Sequence, residues 1–187
     1  MSDAGLNGTN VLLVGKTGVG KSSLLNYLYA REVAAWGSGK PVTPEGIHKL
    51  PSFFYNDLKV NPYDTAGMES GSAGKWFKEL EAALLENGEQ DIRDWFHTII
   101  YCVDAQKSRL DDFEIKVIRS FLESGNRLIL ALTKCDIATS SQCEGLSAAL
   151  SEEFPGLPQV RTAAGNQGGF APPAPLRLSP DCPTRPS

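Results

Sequence analysis

Between Gly15 and Ser22 the chain reads GKTGVGKS. Glycine costs backbone entropy on folding, so this density marks either a slack linker or a loop that needs conformations other residues avoid. The flanks separate the two. Asn10-Val11-Leu12-Leu13-Val14 reads as a buried strand, and Ser22 to Ala30 sets Leu24, Leu25 and Leu28 at helical spacing behind two serines. Strand, glycine loop and helix in that order are what a phosphate-binding loop requires, and Gly15, Gly20, Lys21 and Ser22 fit G-x-x-x-x-G-K-[ST]. Backbone N–H groups of Gly18, Val19, Gly20, Lys21 and Ser22 can turn inward around phosphate oxygens. The helix start, Ser23 included, adds unpaired N–H groups and partial positive charge. Lys21 would reach the outer phosphates, and the Ser22 hydroxyl suits Mg²⁺. Lys16 reads as a solvated loop charge.

Two more segments carry chemistry. Asp64-Thr65-Ala66-Gly67 follows an apolar run, which places a carboxylate where it could hold Mg²⁺ through water and a glycine N–H where it could meet a terminal phosphate. Taken alone, DTAG is also a common turn. In Thr133-Lys134-Cys135-Asp136 the last carboxylate can accept two parallel N–H bonds from guanine, a pair that adenine does not offer. Taken alone, TKCD reads equally as a solvated charged turn.

Elements must position these segments. Ile47 to Tyr55, a turn at Asn56-Asp57 and Leu58 to Tyr63 read as a hairpin running into Asp64. Lys75 to Glu86 is amphipathic, with Trp76, Leu80, Ala83 and Leu84 on one side. Thr98 to Val103 reads as a buried strand. Asp111 and Asp112 open a helix whose apolar face is Phe113, Val117, Ile118, Phe121 and Leu122, closed by Gly125. Leu128 to Leu132 is the next strand, followed by a weaker helix over about Cys143 to Phe154 and a strand near Gln159 to Arg161. Alternating strands and helices predict an α/β fold built on a doubly wound, mostly parallel sheet, with ligands at the carboxyl ends of its strands. From Gly165 onward the apolar period stops and proline dominates, which predicts disorder. The expected division is an extension over 1–9, a nucleotide-binding domain over 10–164 and a tail over 165–187.

At 187 residues the chain is one domain by length. A net charge of −4 gives no compositional support for bulk binding to nucleic acid or anionic membrane. The four cysteines lack metal-ligand spacing and read as reduced thiols. With no leader and no apolar run of spanning length, a cytoplasmic location is expected. For the same reason Asn7-Gly8-Thr9 is discounted as a glycosylation site.

In this order and spacing GKTGVGKS, DTAG and TKCD resemble the translation-factor-related class of P-loop GTPases. The likeness is nearest to the Era-like and septin-like branch with its T-G-V-G-K-S loop, and it covers about Asn10 to Ala164. It implies a G domain binding GTP or GDP with Mg²⁺. In it Lys21, Thr43 and Gly67 serve catalysis, Ser22, Thr43 and Asp64 serve the metal, and Thr133, Lys134 and Asp136 hold the base. It also implies that Thr162-Ala163-Ala164 stands for the family's S-A-K element, with a backbone N–H there, at Ala163, on the guanine oxygen. Without the resemblance, Thr43 is a turn residue between two prolines.

The departures are specific. Thr133 replaces the usual Asn, which predicts a weaker tie between base loop and phosphate loop. Gly18 stands where potassium-stimulated relatives carry Asn, so potassium dependence is not expected. Met68 follows Gly67 where the Ras-like branch has its water-orienting glutamine. The tail stands where the family has a final helix, so a C-terminally truncated domain is expected, with the sheet near Val11, Leu13 and Val160 exposed. The leading function is a GTP-binding switch with slow Mg²⁺-dependent hydrolysis, its switch segments at Lys40–Pro44 and Gly67–Ala73. The alternative is a nucleotide-binding interaction module or incompetent truncated form that does not hydrolyse. An ATP-dependent enzyme is a third class, against which TKCD argues. The resemblance implies an unidentified protein regulator or effector and, from septin-like relatives, a homodimer formed across the nucleotide.

Overall fold

The apolar run ahead of the glycine loop forms β1 (Thr9–Val14), in which Leu12, Leu13 and Val14 are buried. The computed structural model describes residues 8–29, 47–55, 57–65, 73–88, 95–163 and 177–178. After β1 come α1 (Lys21–Tyr29), β2 (Ile47–Lys49), β3 (Phe53–Tyr55), β4 (Leu58–Thr65) and α2 (Ala73–Gly88). They are followed by β5 (Thr98–Asp104), α3 (Asp112–Glu123), β6 (Leu128–Thr133), α4 (Ser140–Glu153), β7 (Gln159–Arg161) and β8 (Arg177–Leu178).

One sheet has the order β7-β6-β5-β1-β4-β3-β8, with β2 also on β4. The strands β4, β1, β5, β6 and β7 run parallel, while β2 and β3 pair antiparallel with β4 and β8 pairs antiparallel with β3. This is the expected α/β class with a mostly parallel sheet. Later strands fall to both sides of β1, so the chain reverses direction there and leaves a crevice at the carboxyl end of β1.

Helix boundaries follow their caps. Asp111 caps α3 in a capping box with Glu114, and beyond the helix Gly125 takes a φ of 75°. Thr139 and Gln142 form a second capping box that starts α4 at Ser140, ahead of the expected Cys143. In the α3 face Val117, Ile118 and Phe121 are buried, but Leu122 is 38% exposed and Glu114 is fully buried.

The expected hairpin is interrupted. β2 pairs with Tyr63–Thr65 and β3 with Leu58–Val60, leaving Leu50 to Ser52 between them. Pro62 explains the break. Its carbonyl accepts from Leu50 N at 2.9 Å, and its nitrogen, which has no hydrogen to give, faces the same side of the strand.

Two apolar clusters lie on the two faces of the sheet. One gathers Leu12, Val14, Ile99, Tyr101 and Val103 with buried residues of α2, α3 and α4. There Phe77 meets Phe113 and Phe121 edge to face, each pair of centroids 6.3 Å apart. The smaller cluster packs Leu24 and Leu25 of α1 against Leu13, Cys102 and Ala131. Leu13, expected to be exposed, is therefore covered, whereas Val11 is half-buried and Val160 is 45% exposed.

Beyond Arg161 the sequence pattern offers no further element, yet Leu178 pairs with Phe53 and Arg177 with Phe54. The rest of 165–187 lies outside the described residues, as do Thr43, Gly67, Met68 and most of both switch segments.

Candidate functional site

The glycine loop leaves β1 through Gly15, at φ 150°, where a Cβ would lie 2.6 Å from the Cys102 carbonyl oxygen on β5. Only glycine lets the loop pass so close to the neighbouring strand. Gly20, at φ 100°, sits where a Cβ would come within 3.4 Å of Thr133. Between them Val19 is buried and its N–H points to the Lys16 carbonyl at 3.4 Å. Ser22 and Ser23 are exposed in the first turn of α1. Lys21 is 7% exposed, and its ammonium folds back over the loop, donating to the Gly15 carbonyl at 2.9 Å and the Lys16 carbonyl at 3.1 Å.

Parallel register brings Asp64 beside Leu13 at the end of β1, and the Thr65 hydroxyl fastens this end of β4 by donating to the Leu13 carbonyl at 2.9 Å. Burial pushes the Asp64 carboxyl above the usual carboxylate range, with Lys21 and His48 pulling the other way. Burial likewise lowers the Lys21 ammonium, against the pull of Asp64 and Cys102. For both partners desolvation outweighs attraction, so the two charges are held close at a cost. Asp64 Oδ1 is buried and meets no hydrogen-bond partner among the described residues. An orphaned carboxylate oxygen at the end of β4 and the exposed Ser22 hydroxyl in the first turn of α1 are donors of the hard-oxygen kind that Mg²⁺ takes. The residues present therefore fit the ion.

At the end of β6, the register sets Thr133 beside Asp104 of β5. The Thr133 hydroxyl donates toward the Val19 carbonyl of the glycine loop and lies 3.0 Å from the Val103 carbonyl. The contact between the two loops is made despite the shorter side chain, with one hydroxyl proton facing two acceptors where an asparagine amide would bring two. Lys134 holds a positive φ of 59° and pairs with Asp104 Oδ2 at 2.6 Å. Asp136 is exposed and has no hydrogen bond or ion pair with any described residue. Its neighbour Cys135 donates its N–H to the Thr162 carbonyl at 3.1 Å, which draws Thr162 and half-buried Ala163 to the same loop. Lys21, Asp64, Thr133, Asp136 and Ala163 thus meet at the carboxyl ends of four parallel strands, while Ala164 lies outside the described residues.

Lys16 is not a solvated loop charge. It is ion-paired with Asp111 at the start of α3 and lies 3.6 Å from Glu114 Oε2. Asp111 and Glu114 were legible as a capping box from their spacing. Their reach to the glycine loop was not, because the partners stand 95 positions apart.

Fold and site together define a P-loop G domain: a mostly parallel α/β sheet whose glycine loop and acidic strand end converge with a TKCD loop. The chain belongs to the family described as 50S ribosome-binding GTPase, whose model it matches over residues 10–134. It is similar to GTPase Der of Pseudomonas fluorescens (strain Pf0-1), 29% identical over 136 residues, which are 73% of this chain and 26% of that relative. GTPase Der of Ralstonia pickettii (strain 12J) is 29% identical over 135 residues, 72% of this chain and 29% of the relative. The chain therefore spans between a quarter and a third of the length of these curated relatives. Among solved structures, Toc33 from Arabidopsis thaliana in complex with Mg²⁺ and GMPPNP superposes with a TM-score of 0.63 at 17% identity, covering 87% of this chain and 73% of that one. Aquifex aeolicus Era bound to GDP and AlF4⁻ gives a TM-score of 0.57 at 21% identity, covering 83% and 50%. At these identities the structural likeness speaks for the fold.

Proposed function

We propose that this chain binds GTP and GDP with Mg²⁺, hydrolyses GTP slowly, and acts as a nucleotide-dependent switch of the Era-like and septin-like branch. The observation that carries the reading is the contact of the Thr133 hydroxyl with the Val19 carbonyl. It makes the TKCD loop and the phosphate loop one continuous surface, as a ligand with a guanine at one end and phosphates at the other requires. Asp136, without a partner among the described residues, accepts from the base, and the Ala163 N–H meets the guanine oxygen. Lys21 exchanges the Gly15 and Lys16 carbonyls for phosphate oxygens. Mg²⁺, when bound through Ser22, Asp64 and Thr43, neutralises charge on the phosphate oxygens. Phosphoryl transfer needs positioning and charge stabilisation more than covalent help, and Lys21, the loop amides and Gly67 supply these. Met68 in place of a water-orienting glutamine keeps turnover slow.

The same reading includes a protein regulator or effector acting on the switch segments, and a homodimer formed across the nucleotide. A dimerization-deficient mutant of Toc33 is among the similar structures, so a dimer has a precedent on the same fold. No described helix is long and apolar enough to cross a membrane, in keeping with the proposed cytoplasmic location. A second reading, a module that holds nucleotide without turnover, follows from Met68, which stands after Gly67 in place of a water-orienting glutamine.

Isothermal titration with GTP, GDP and ATP, paired with a phosphate-release assay, tests these readings. Tight binding of GTP and GDP but not ATP, with slow phosphate release, is expected. Equal binding of ATP removes the guanine assignment, and tight binding without release selects the second reading.

A further inference from the structure

Lys16 occupies the second position of the glycine loop and is held at both ends. Its carbonyl accepts from the Lys21 ammonium at 3.1 Å, while its own ammonium is ion-paired with Asp111 and faces Glu114. An exposed ion pair alone contributes little, and Asp111 retains half of its side-chain exposure. Glu114 changes the weight of the contact. It is fully buried, and a buried carboxylate stays charged only where cations and donors surround it. Here Lys107 donates to both of its oxygens, at 3.1 and 3.3 Å, and the Asp111 N–H to one at 3.1 Å. Lys16 completes this ring from the glycine loop.

The opposite end of the same β5–α3 connection reaches the base loop. Asp104 pairs with Lys134 at 2.6 Å and is itself steadied by the Gln106 N–H at 2.9 Å. One short connection is thus tied by one ion pair to the phosphate loop and by another to the base loop. A loop with glycines at 15, 18 and 20, all at positive φ, has little intrinsic preference for one shape. A tether outside the loop can supply the preorganisation that the glycines cannot.

We propose that Lys16 is a positioning residue for the phosphate loop: clamped by Asp111 and Glu114 at the start of α3, its side chain fixes the backbone that holds Lys21 and receives the phosphates. This inference rests on the nucleotide-binding reading above. It assigns to α3 a direct hold on nucleotide affinity without any contact to the ligand.

The test uses the full chain and fluorescent GDP, with melting temperatures recorded without nucleotide. Lys16→Met should weaken GDP binding about tenfold, the scale of one charge-assisted contact. Lys16→Arg, which keeps the charge, should stay within about threefold of the parent. Asp111→Asn should weaken GDP in the same direction, and the double variant Lys16→Met/Asp111→Asn should be no weaker than the worse single one. If Lys16→Met fails to fold, Asp111→Asn and Lys16→Arg still report the clamp. Unchanged affinity in the neutral variants overturns the proposal, as do losses that simply add in the double variant, or a lowered melting temperature with unchanged GDP affinity. A parent chain that binds ATP as tightly as GDP defeats the guanine reading but leaves the clamp to be read with ATP on the same variants. A parent that binds no nucleotide overturns both.

Discussion

The Thr133 hydroxyl donates to the carbonyl of Val19, a residue 114 positions earlier in the chain. Through this contact the TKCD loop is fastened to the glycine loop. The same oxygen lies 3.0 Å from the Val103 carbonyl, and Thr133 is 2% exposed, so there is little water to serve whichever acceptor is left.

Removing that hydroxyl tests the fastening. Thr133→Val keeps the volume but leaves two carbonyls without this donor, at a cost of about 1–3 kcal/mol. We expect a lower melting temperature and weaker GDP binding in thermal-shift and titration measurements. Thr133→Asn, with two N–H donors, should bind GDP at least as tightly as the parent. A valine variant indistinguishable from the parent in both measurements would show that the two loops are held together by something else.

Asp136 has no competing partner among the described residues, so its carboxylate is available to a base. Asp136→Asn should weaken GTP by roughly 2–4 kcal/mol, the scale of breaking a charge-assisted pair, while xanthosine nucleotides gain. Unchanged GTP affinity in titration of that variant would remove Asp136 from the base site.

Asp64 gives a pH-dependent prediction whose sign follows from its raised carboxyl. The folded chain holds the Asp64 proton more tightly than the unfolded chain does. Its contribution to stability is therefore fully present below the unfolded carboxyl range and is lost as pH rises through the higher folded value. Asp64→Asn, a mimic of the protonated form, should melt higher than the parent without nucleotide at neutral pH. The gap should close as pH falls through the raised value. The same variant should lose the strengthening of nucleotide binding by Mg²⁺. A parent that melts above the variant at pH 7 would mean that attraction to Lys21 outweighs burial.

What could be read in advance was what is local. The strand, glycine loop and helix around GKTGVGKS are consecutive, and their composition alone specifies them. Asp111 and Asp112 mark the start of α3 locally, and the capping boxes Asp111–Glu114 and Thr139–Gln142 that set the two helix starts are spacing signals of the same local kind. The electrostatics were not legible. Lys16 finds Asp111, and Lys134 finds Asp104, only once parallel register has set β1, β5 and β6 side by side. Pro62, which breaks the hairpin, acts through a partner strand and not through its neighbours. The pairing of Arg177–Leu178 with β3 has only a short local signal, since the alternation Leu176-Arg177-Leu178 covers three residues in a stretch otherwise dominated by proline and small side chains.

Stability should depend strongly on nucleotide. The α1 face carries the smaller apolar cluster, with Val160 half open at the sheet edge, and at the site two charges are kept close although burial disfavours both. Bound phosphates and metal would relieve that cost, because they give Lys21 and Asp64 the partners that water no longer supplies. By mass action alone, GDP at a hundredfold excess over its dissociation constant contributes about 2.7 kcal/mol. For a chain of this length that corresponds to a rise in melting temperature of about 5–10 °C. Deleting residues 171–187 should change little by comparison, because β8 contributes two paired residues at the edge of the sheet. Thermal-shift curves of the parent and the deletion variant, each with and without GDP, measure both effects. A GDP-independent melting temperature in the parent would refute the claim that the site is electrostatically incomplete without its ligand, and a large drop on deletion would make β8 a structural strand in its own right.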